Sequence, residues 1–169
     1  MSGNIVFVLL PPISYPQFFA AYLVAAILRG LVVGLGVWAV TLFFVTPSVP
    51  HPGWLLAFSL TACGLMAALG IMAGIWAEKY DQLAAFQNFL ILPLTFLSGV
   101  FYSIHSLPAF WQAVSHWNPV FYMIDGFRYA FVGASDVPPG EGLMVVGASF
   151  VAISALSLAL LKSGYKLRY

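Results

Sequence analysis

The chain has 169 residues, of which 62% are hydrophobic and only 7% are charged, and its formal net charge is +1. Soluble domains carry about a quarter charged residues, so this composition excludes a soluble domain and indicates a protein whose solvent is lipid. The small net charge gives no electrostatic footprint for nucleic acid. Cys63 is the single cysteine, which excludes an internal disulfide and a cysteine-based metal cluster.

Long uncharged stretches predict an all-α membrane protein with four transmembrane helices. No charged residue lies between Arg29 and Glu78, and that interval is interrupted by the turn cluster at 46–53. Each predicted span is about 20 residues long, which suits a helix, whereas a barrel strand needs only about 10 alternating residues. The predicted spans are about residues 22–45, 54–76, 83–101 and 143–161. Pro93 lies inside the third span and is expected to kink it.

The positions of lysine and arginine predict the orientation of the chain in the membrane. Lys79 lies in the loop between the second and third spans, and the tail at 162–169 contains two lysines and one arginine. Arg29, near the start of the first predicted span, can snorkel to the same side, whereas the opposite side has only Arg128. We therefore expect both termini to be cytoplasmic.

The segment Tyr102 to Gly142, called here the aromatic connection, is too apolar for a loop in water. Two helix starts lie inside it, because Ser106 comes just before Pro108 and Asn118 comes directly before Pro119. Apolar helices between two spans suggest a re-entrant or interfacial element, here at about residues 106–133. Such an element persists at membrane depth only when it is packed in protein or lines a cavity.

Polar residues in these apolar surroundings have a structural and a functional interpretation. In the third span they either hydrogen-bond to other helices or line a wetted path. The span contains four of them: Gln87, Asn88, Thr95 and Ser98. Asp125 and Arg128 are spaced to pair on one helix, either as a structural ion pair or as a gate.

Two glycine pairs at a spacing of four residues predict close helix packing. They are Gly30 with Gly34, and Gly70 with Gly74. Small residues at this spacing let two helix backbones approach closely.

The sequence offers no catalytic, cofactor or metal site. It lacks the phosphate-binding motif G-x-x-x-x-G-K-[ST], the nucleophile motif G-x-S-x-G and the zinc motif H-E-x-x-H. The three histidines, His51, His105 and His116, have no carboxylate at ligand spacing on a shared helix.

Six segments resemble the ABC-2 type transport permeases, the membrane subunits of bacterial ABC exporters. Four of them lie towards the C-terminus: LPLTFLSGVFYS (92–103), LPAFWQAVSHWNP (107–119), YMIDGFRYAFVG (122–133) and DVP (136–138). The other two are NIVFVLLPPIS (4–14) and LRGLVVG (28–34). Within the family, the chain looks closest to the multidrug and capsular-polysaccharide exporter group.

The resemblance implies that the chain corresponds to the C-terminal part of a six-helix permease and lacks the first two spans. It divides the chain into a coupling-like segment at 1–16, a transmembrane domain at 17–161 and a cytoplasmic tail at 162–169. In similar permeases the coupling segment is charged and docks on the ATPase, whereas here it has no charge.

A permease of this family implies a dimer in the bacterial inner membrane that works with separate ATP-binding subunits, where ATP and magnesium bind. Drugs, lipids or glycoconjugates would be exported outward. Candidate ATPase contacts are Asn4, Ser14, Glu78 and Lys79. Candidates for the translocation path or an outer gate are Gln87, Asn88, Thr95, Ser98, Asn118, Asp125 and Arg128.

One other interpretation remains open. The chain can be a truncated, non-transporting membrane fragment or an assembly partner of another permease. An intramembrane enzyme would need a convergent set of nucleophilic or acid–base residues, and the sequence supplies none.

Overall fold

The computed structural model of the chain describes residues 14–100 and 106–163. Asn4 and nearly all of the predicted coupling segment lie outside this part of the chain, as do His105 and the tail from residue 164 onward. All regular elements among the described residues are helices.

Three helices are long and apolar enough to cross a bilayer. They are α1 (Tyr15–Thr41), α2 (Pro52–Trp76) and α7 (Pro139–Lys162). These helices correspond to the first, second and fourth predicted spans.

Helix α1 begins at Tyr15, earlier than the predicted span, and ends at Thr41. Pro16 is tolerated there because the first turn of a helix has no partner for its backbone N–H groups. The backbone N–H of Ser14 donates to Oε1 of Gln17 at 3.0 Å, which ties down the start of the helix. As a consequence Arg29 lies in the middle of α1 rather than near its beginning.

The predicted third span is divided into three consecutive helical pieces. Helix α3 (Tyr80–Phe86) continues through a π-helical turn (Gln87–Ile91) into α4 (Leu92–Phe96). Pro93 cannot donate a backbone hydrogen bond to the carbonyl of Phe89, so the regular ladder is broken at this point. Because none of these pieces alone is long enough to span a bilayer, the third of the four predicted spans stays a prediction.

Two short helices lie in the aromatic connection, α5 (Ala109–His116) and α6 (Pro119–Val132). The predicted start at Asn118 is confirmed, because its side chain accepts a hydrogen bond from the backbone N–H of Val120 at 3.0 Å. The other start differs: Pro108, in extended conformation, occupies the cap position of α5 in place of Ser106. Whether these helices are re-entrant stays a prediction.

Helix α2 is the centre of the fold and packs against α1, α6 and α7. Its largest cluster of buried side chains joins α2 to α6 and α7 and consists of Phe58, Leu65, Leu69, Met123 and Val146. A smaller cluster of Phe19, Ala68 and Leu161 joins α1, α2 and α7. Most other apolar side chains point outward, as expected where lipid replaces water.

The closest approach of α2 and α6 is at Phe58 and Gly126. The Phe58 ring is fully buried, and a Cβ atom placed on Gly126 would lie 2.3 Å from it. Only glycine leaves room for the ring, so this pair sets the distance between the two helices.

We therefore expect Gly126→Ala to destabilise the protein by about 1–3 kcal/mol, because the added methyl group forces Phe58 or the helix to move. Gly147→Ala in α7 is the matched control, since a Cβ atom placed there would have no described atom within 4 Å. Thermal unfolding of the detergent-purified variants measures the difference. Equal melting temperatures for the two variants would contradict the proposed close packing.

Candidate functional site

The aromatic connection is bound to the C-terminal end of α4 through the side chain of Asn118. While its Oδ1 caps α6, its Nδ2 donates to the carbonyl oxygen of Leu94 at 2.6 Å. The last carbonyls of a helix have no partner within the helix, and in an apolar environment they need one. A single buried amide therefore satisfies the beginning of one helix and the end of another.

Two further side chains donate to the turn that follows α4. Oγ of Ser115 donates to the carbonyl oxygen of Leu97 at 2.9 Å, and Nη2 of Arg128 donates to that of Gly99 at 3.3 Å. Gly99 has a φ of 77°, a conformation that side-chain-bearing residues rarely adopt. We call the three contacts made by Asn118, Ser115 and Arg128 the carbonyl clasp.

Asp125 fixes the segment that leads into α7. This carboxylate is 3% exposed and accepts hydrogen bonds from the backbone N–H of Asp136, at 2.9 and 3.2 Å, and of Val137, at 3.1 Å. Hydrogen bonds to an ionised group are stronger than those between neutral groups, which compensates for the burial of a charge.

Arg128 joins this carboxylate to the clasp. Its Nη1 lies 3.1 Å from Oδ2 of Asp136 and 3.6 Å from Oδ1 of Asp125. The predicted pair of Asp125 and Arg128 is thus present, but Arg128 makes its shorter contact with Asp136. The guanidinium links three parts of the chain: α6, the turn after α4 and the segment before α7.

The four polar residues of the third predicted span fall into two groups. The hydroxyl groups of Thr95 and Ser98 donate hydrogen bonds to nearby backbone carbonyls at the end of α4. Thr95 Oγ1 donates to the carbonyl of Ile91 at 2.9 Å, and Ser98 Oγ donates to the carbonyl of Thr95. Gln87 and Asn88 are exposed on the π-helical turn, and their side chains form no hydrogen bond with the described part of the chain. A role in a translocation path stays a prediction for all four.

The candidate ATPase contacts lie away from the clasp. The backbone N–H groups of Glu78 and Lys79 both donate to Oε1 of Gln82, at 2.6 and 3.4 Å, which shapes the turn between α2 and α3. Ser14 lies at the start of α1. Contact of these residues with an ATPase stays a prediction.

The predicted packing glycines differ in their surroundings. A Cβ atom on Gly30 would lie 2.7 Å from Sγ of Cys63, so α1 and α2 touch there. Cβ atoms on Gly34, Gly70 and Gly74 would meet no described atom within 4 Å. Gly70 and Gly74 instead line a groove between α1 and α2.

The described histidines are engaged in ring contacts. His51 stacks on Tyr129 with ring centroids 4.7 Å apart, and His116 meets Phe121 edge-on at 5.5 Å. Among residues 14–100 and 106–163, no group of three His, Cys, Asp or Glu residues could hold a metal ion.

Tyr122 supports the junction of α5 and α6. Its hydroxyl donates to the carbonyl oxygen of His116 at 2.9 Å. Burial raises the pKa of this phenol above its ordinary value, and the nearby negative charge of Glu141 raises it further. The phenol therefore stays protonated at neutral pH and keeps its role as a donor.

Sequence reasoning missed Ser115 and Asp136 as parts of this site. In the sequence Asp136 appears only as the first residue of a DVP motif, which does not indicate a partner. Ser115 could not be predicted because its partner is a backbone carbonyl. The approach of α5 to the end of α4 depends on tertiary structure.

We expect Asn118→Ala to destabilise the aromatic connection by about 1–3 kcal/mol, because it removes the cap of α6 and leaves the Leu94 carbonyl unpaired. Asn118→Ser should lose less, since its hydroxyl can still cap α6 and only the donor to Leu94 is lost. Gln112→Ala is the control, because its side chain bonds only to the nearby carbonyl of Leu107. Thermal unfolding and limited proteolysis of the aromatic connection measure the loss of stability in each variant. An equal loss of stability in Asn118→Ala and Gln112→Ala would refute the bridging role of Asn118.

The chain matches the ABC-2 type transporter family over residues 2–132. It is 39% identical over 166 residues to the inner membrane transport permease YadH of Escherichia coli K12, a match that covers 98% of this chain and 64% of YadH. No solved structure matches the chain.

Two other relatives are more distant. The capsule polysaccharide export inner-membrane protein BexB of Haemophilus influenzae is 31% identical over 111 residues, covering 63% of this chain and 41% of BexB. Nodulation protein J of Rhizobium leguminosarum biovar trifolii is 27% identical over 148 residues, covering 80% of this chain and 56% of the relative. The family match and the similarity to YadH over almost the whole chain together show that this protein belongs to the ABC-2 type transporter family.

Proposed function

We propose that the chain is a membrane-spanning permease subunit of an ATP-driven exporter. The observation that carries this proposal is the 39% identity to a transport permease over 98% of the chain. ATP would be bound and hydrolysed by a separate subunit, as membership of the ABC-2 type transporter family leads us to expect. Two copies of the permease would assemble with two such subunits.

The proposed substrate is a drug-like molecule, a lipid or a glycoconjugate that moves outward across the inner membrane. A relative named for capsule polysaccharide export favours the glycoconjugate among these three classes. The apolar spans and the aromatic connection suit an amphipathic molecule.

The proposed orientation places both termini in the cytoplasm. Lys79 and Lys162 then lie on the cytoplasmic side, as the positive-inside rule expects. Arg128 would lie on the outer side, where its charge is balanced by Asp125 and Asp136.

A mechanical link supports the proposed transport role. The segment of α3, the π-helical turn and α4 connects the charged turn at Glu78 and Lys79 to the carbonyl clasp. In this proposal the ATPase pushes on the charged turn, and the movement reaches the aromatic connection through the clasp. Asp125 and Arg128 would act there as an outer gate.

A tagged pull-down from solubilised membranes, with mass spectrometry of the proteins recovered, tests the proposal. A stoichiometric ATP-binding protein is the expected result. Recovery of a well-folded chain alone would contradict the proposed coupling and favour a non-transporting fragment.

We further expect Asp125→Ala to lower export more than His116→Ala. The first variant removes the acceptor of the Asp136 and Val137 amides and leaves Arg128 with one carboxylate fewer, whereas His116 contributes only a ring contact through its side chain. An efflux assay at matched expression levels measures both. Unimpaired export by both variants would exclude a gate at Asp125.

A further inference from the structure

The groove between α1 and α2 runs along only one half of the two helices. It begins where the helices touch, because a Cβ atom on Gly30 would lie 2.7 Å from Sγ of Cys63. From there it extends to Phe18 near the start of α1 and to Gly74 near the end of α2. These distances of twelve and eleven residues make the groove about 17 Å long. Most of its lining residues are small: Ala26, Gly30, Cys63, Ala67, Gly70 and Gly74.

The two tryptophans at the ends of α2 place this groove in one leaflet of the membrane. Trp54 and Trp76 are expected at the two membrane interfaces. Cys63 lies nine residues after Trp54 and thirteen before Trp76, which corresponds to about 14 Å and about 20 Å along α2. The end of the groove at Cys63 is therefore near the middle of the bilayer, and its other end lies at the interface on the side where α1 begins. Since one leaflet takes about half of a hydrocarbon core of about 30 Å, the groove has the length of one acyl chain.

The width of the groove favours an acyl chain over a transmembrane helix. Spread over its length, a volume of about 660 Å³ corresponds to a mean cross-section of about 40 Å². A helix with its side chains is about 10 Å wide, which corresponds to about 80 Å². A helix would also continue past the middle of the bilayer, where Gly30 and Cys63 close the groove. A single acyl chain carries no side chains and ends at this depth.

Tyr22 supplies a polar group at the interface end of the groove. It lines the groove and lies eight residues, about 12 Å, before Gly30 on α1. Its ring packs against that of Phe18, one turn nearer the start of α1, with ring centroids 4.6 Å apart. The hydroxyl therefore points towards the interface, and it forms no hydrogen bond with the described part of the chain. A membrane lipid carries its ester carbonyl groups at this depth, and these carbonyls accept hydrogen bonds.

We propose that this groove binds one acyl chain of a phospholipid from the leaflet on the side where α1 begins. The chain lies along the small residues with its end at Gly30 and Cys63, and Tyr22 donates a hydrogen bond to the ester carbonyl. Small residues let the chain contact both helix backbones, so it makes more van der Waals contacts than a chain on an open helix face. The head group stays at the interface. The site requires only that the long helices are in the membrane and does not depend on the proposed export.

Photoreactive lipids retained by the purified full-length chain test the site without nucleotide or ATPase. Two phosphatidylcholine probes carry a diazirine either at the end of one acyl chain or next to its ester. The protein is equilibrated with a probe, bulk lipid is washed off in detergent, and the retained lipid is cross-linked and mapped by mass spectrometry. The chain-end probe should label residues around Gly30 and Cys63, and the ester probe should label residues around Tyr22 and Gly74. The reverse order of the two probes along the groove, or no retained probe, would overturn the proposal.

Groove variants separate this site from lipid that adheres elsewhere on the protein. Gly70→Leu fills the groove without a clash and should lose most of the retained probe. Gly34→Leu is the matched control, because its position is equally open but is not part of the groove lining. Equal retention of the probe by these two variants would also overturn the proposal.

The hydroxyl contact has its own variant, Tyr22→Phe. This change should lower probe retention by about two- to tenfold, because one hydrogen bond to the ester carbonyl is lost. Tyr80→Phe is the control, because Tyr80 is 74% exposed and is not part of the groove lining. Equal retention by these two variants would overturn the proposed position of the ester.

A second copy of the chain, seated face to face on the groove, is the rival occupant. A symmetric contact of this kind would bring the two Cys63 thiols together at the same depth. Because Cys63 is the single cysteine of the chain, disulfide-linked dimers in oxidised membranes would report this contact. Their formation would overturn the lipid site in favour of an interface between copies.

Discussion

The aromatic connection depends on hydrogen bonds to the free carbonyls at the end of α4. A helix that ends in an apolar environment exposes several acceptors without partners, and each one costs free energy. Asn118, Ser115 and Arg128 satisfy three acceptors in and after α4. These contacts hold α5 and α6 against the end of α4, and they place Asp125 where it can bind the chain entering α7.

Lipid as the solvent explains why so few side chains are buried. Helix α1 has one buried residue, Phe19, although it is strongly apolar along its whole length. Association in lipid relies on close packing and hydrogen bonds, because burying an apolar side chain there gains little. The fit of Phe58 against Gly126 is a contact of the first kind, and the bond from Asn118 Nδ2 to the Leu94 carbonyl, at 2.6 Å, is one of the second.

The sequence was informative where the signal is local. Composition predicted the membrane class, uncharged runs located three long helices, and the pair Asn118–Pro119 located the start of α6. It was less informative where backbone groups are the partners. The clasp acceptors are the backbone carbonyls of Leu94, Leu97 and Gly99, and every residue has such a carbonyl, so no residue type marks them. The π-helical turn depends on how the backbone hydrogen bonds of the helix rearrange before Pro93.

Asp125 and Arg29 show two different ways of placing a charge among apolar residues. Asp125 is buried, yet backbone amides and Arg128 surround its carboxylate, so its charge is compensated within the chain. Arg29 is exposed at mid-depth on α1 and has no such group within reach in the described residues. Exposure helps a charge in water, but at this depth it means contact with lipid.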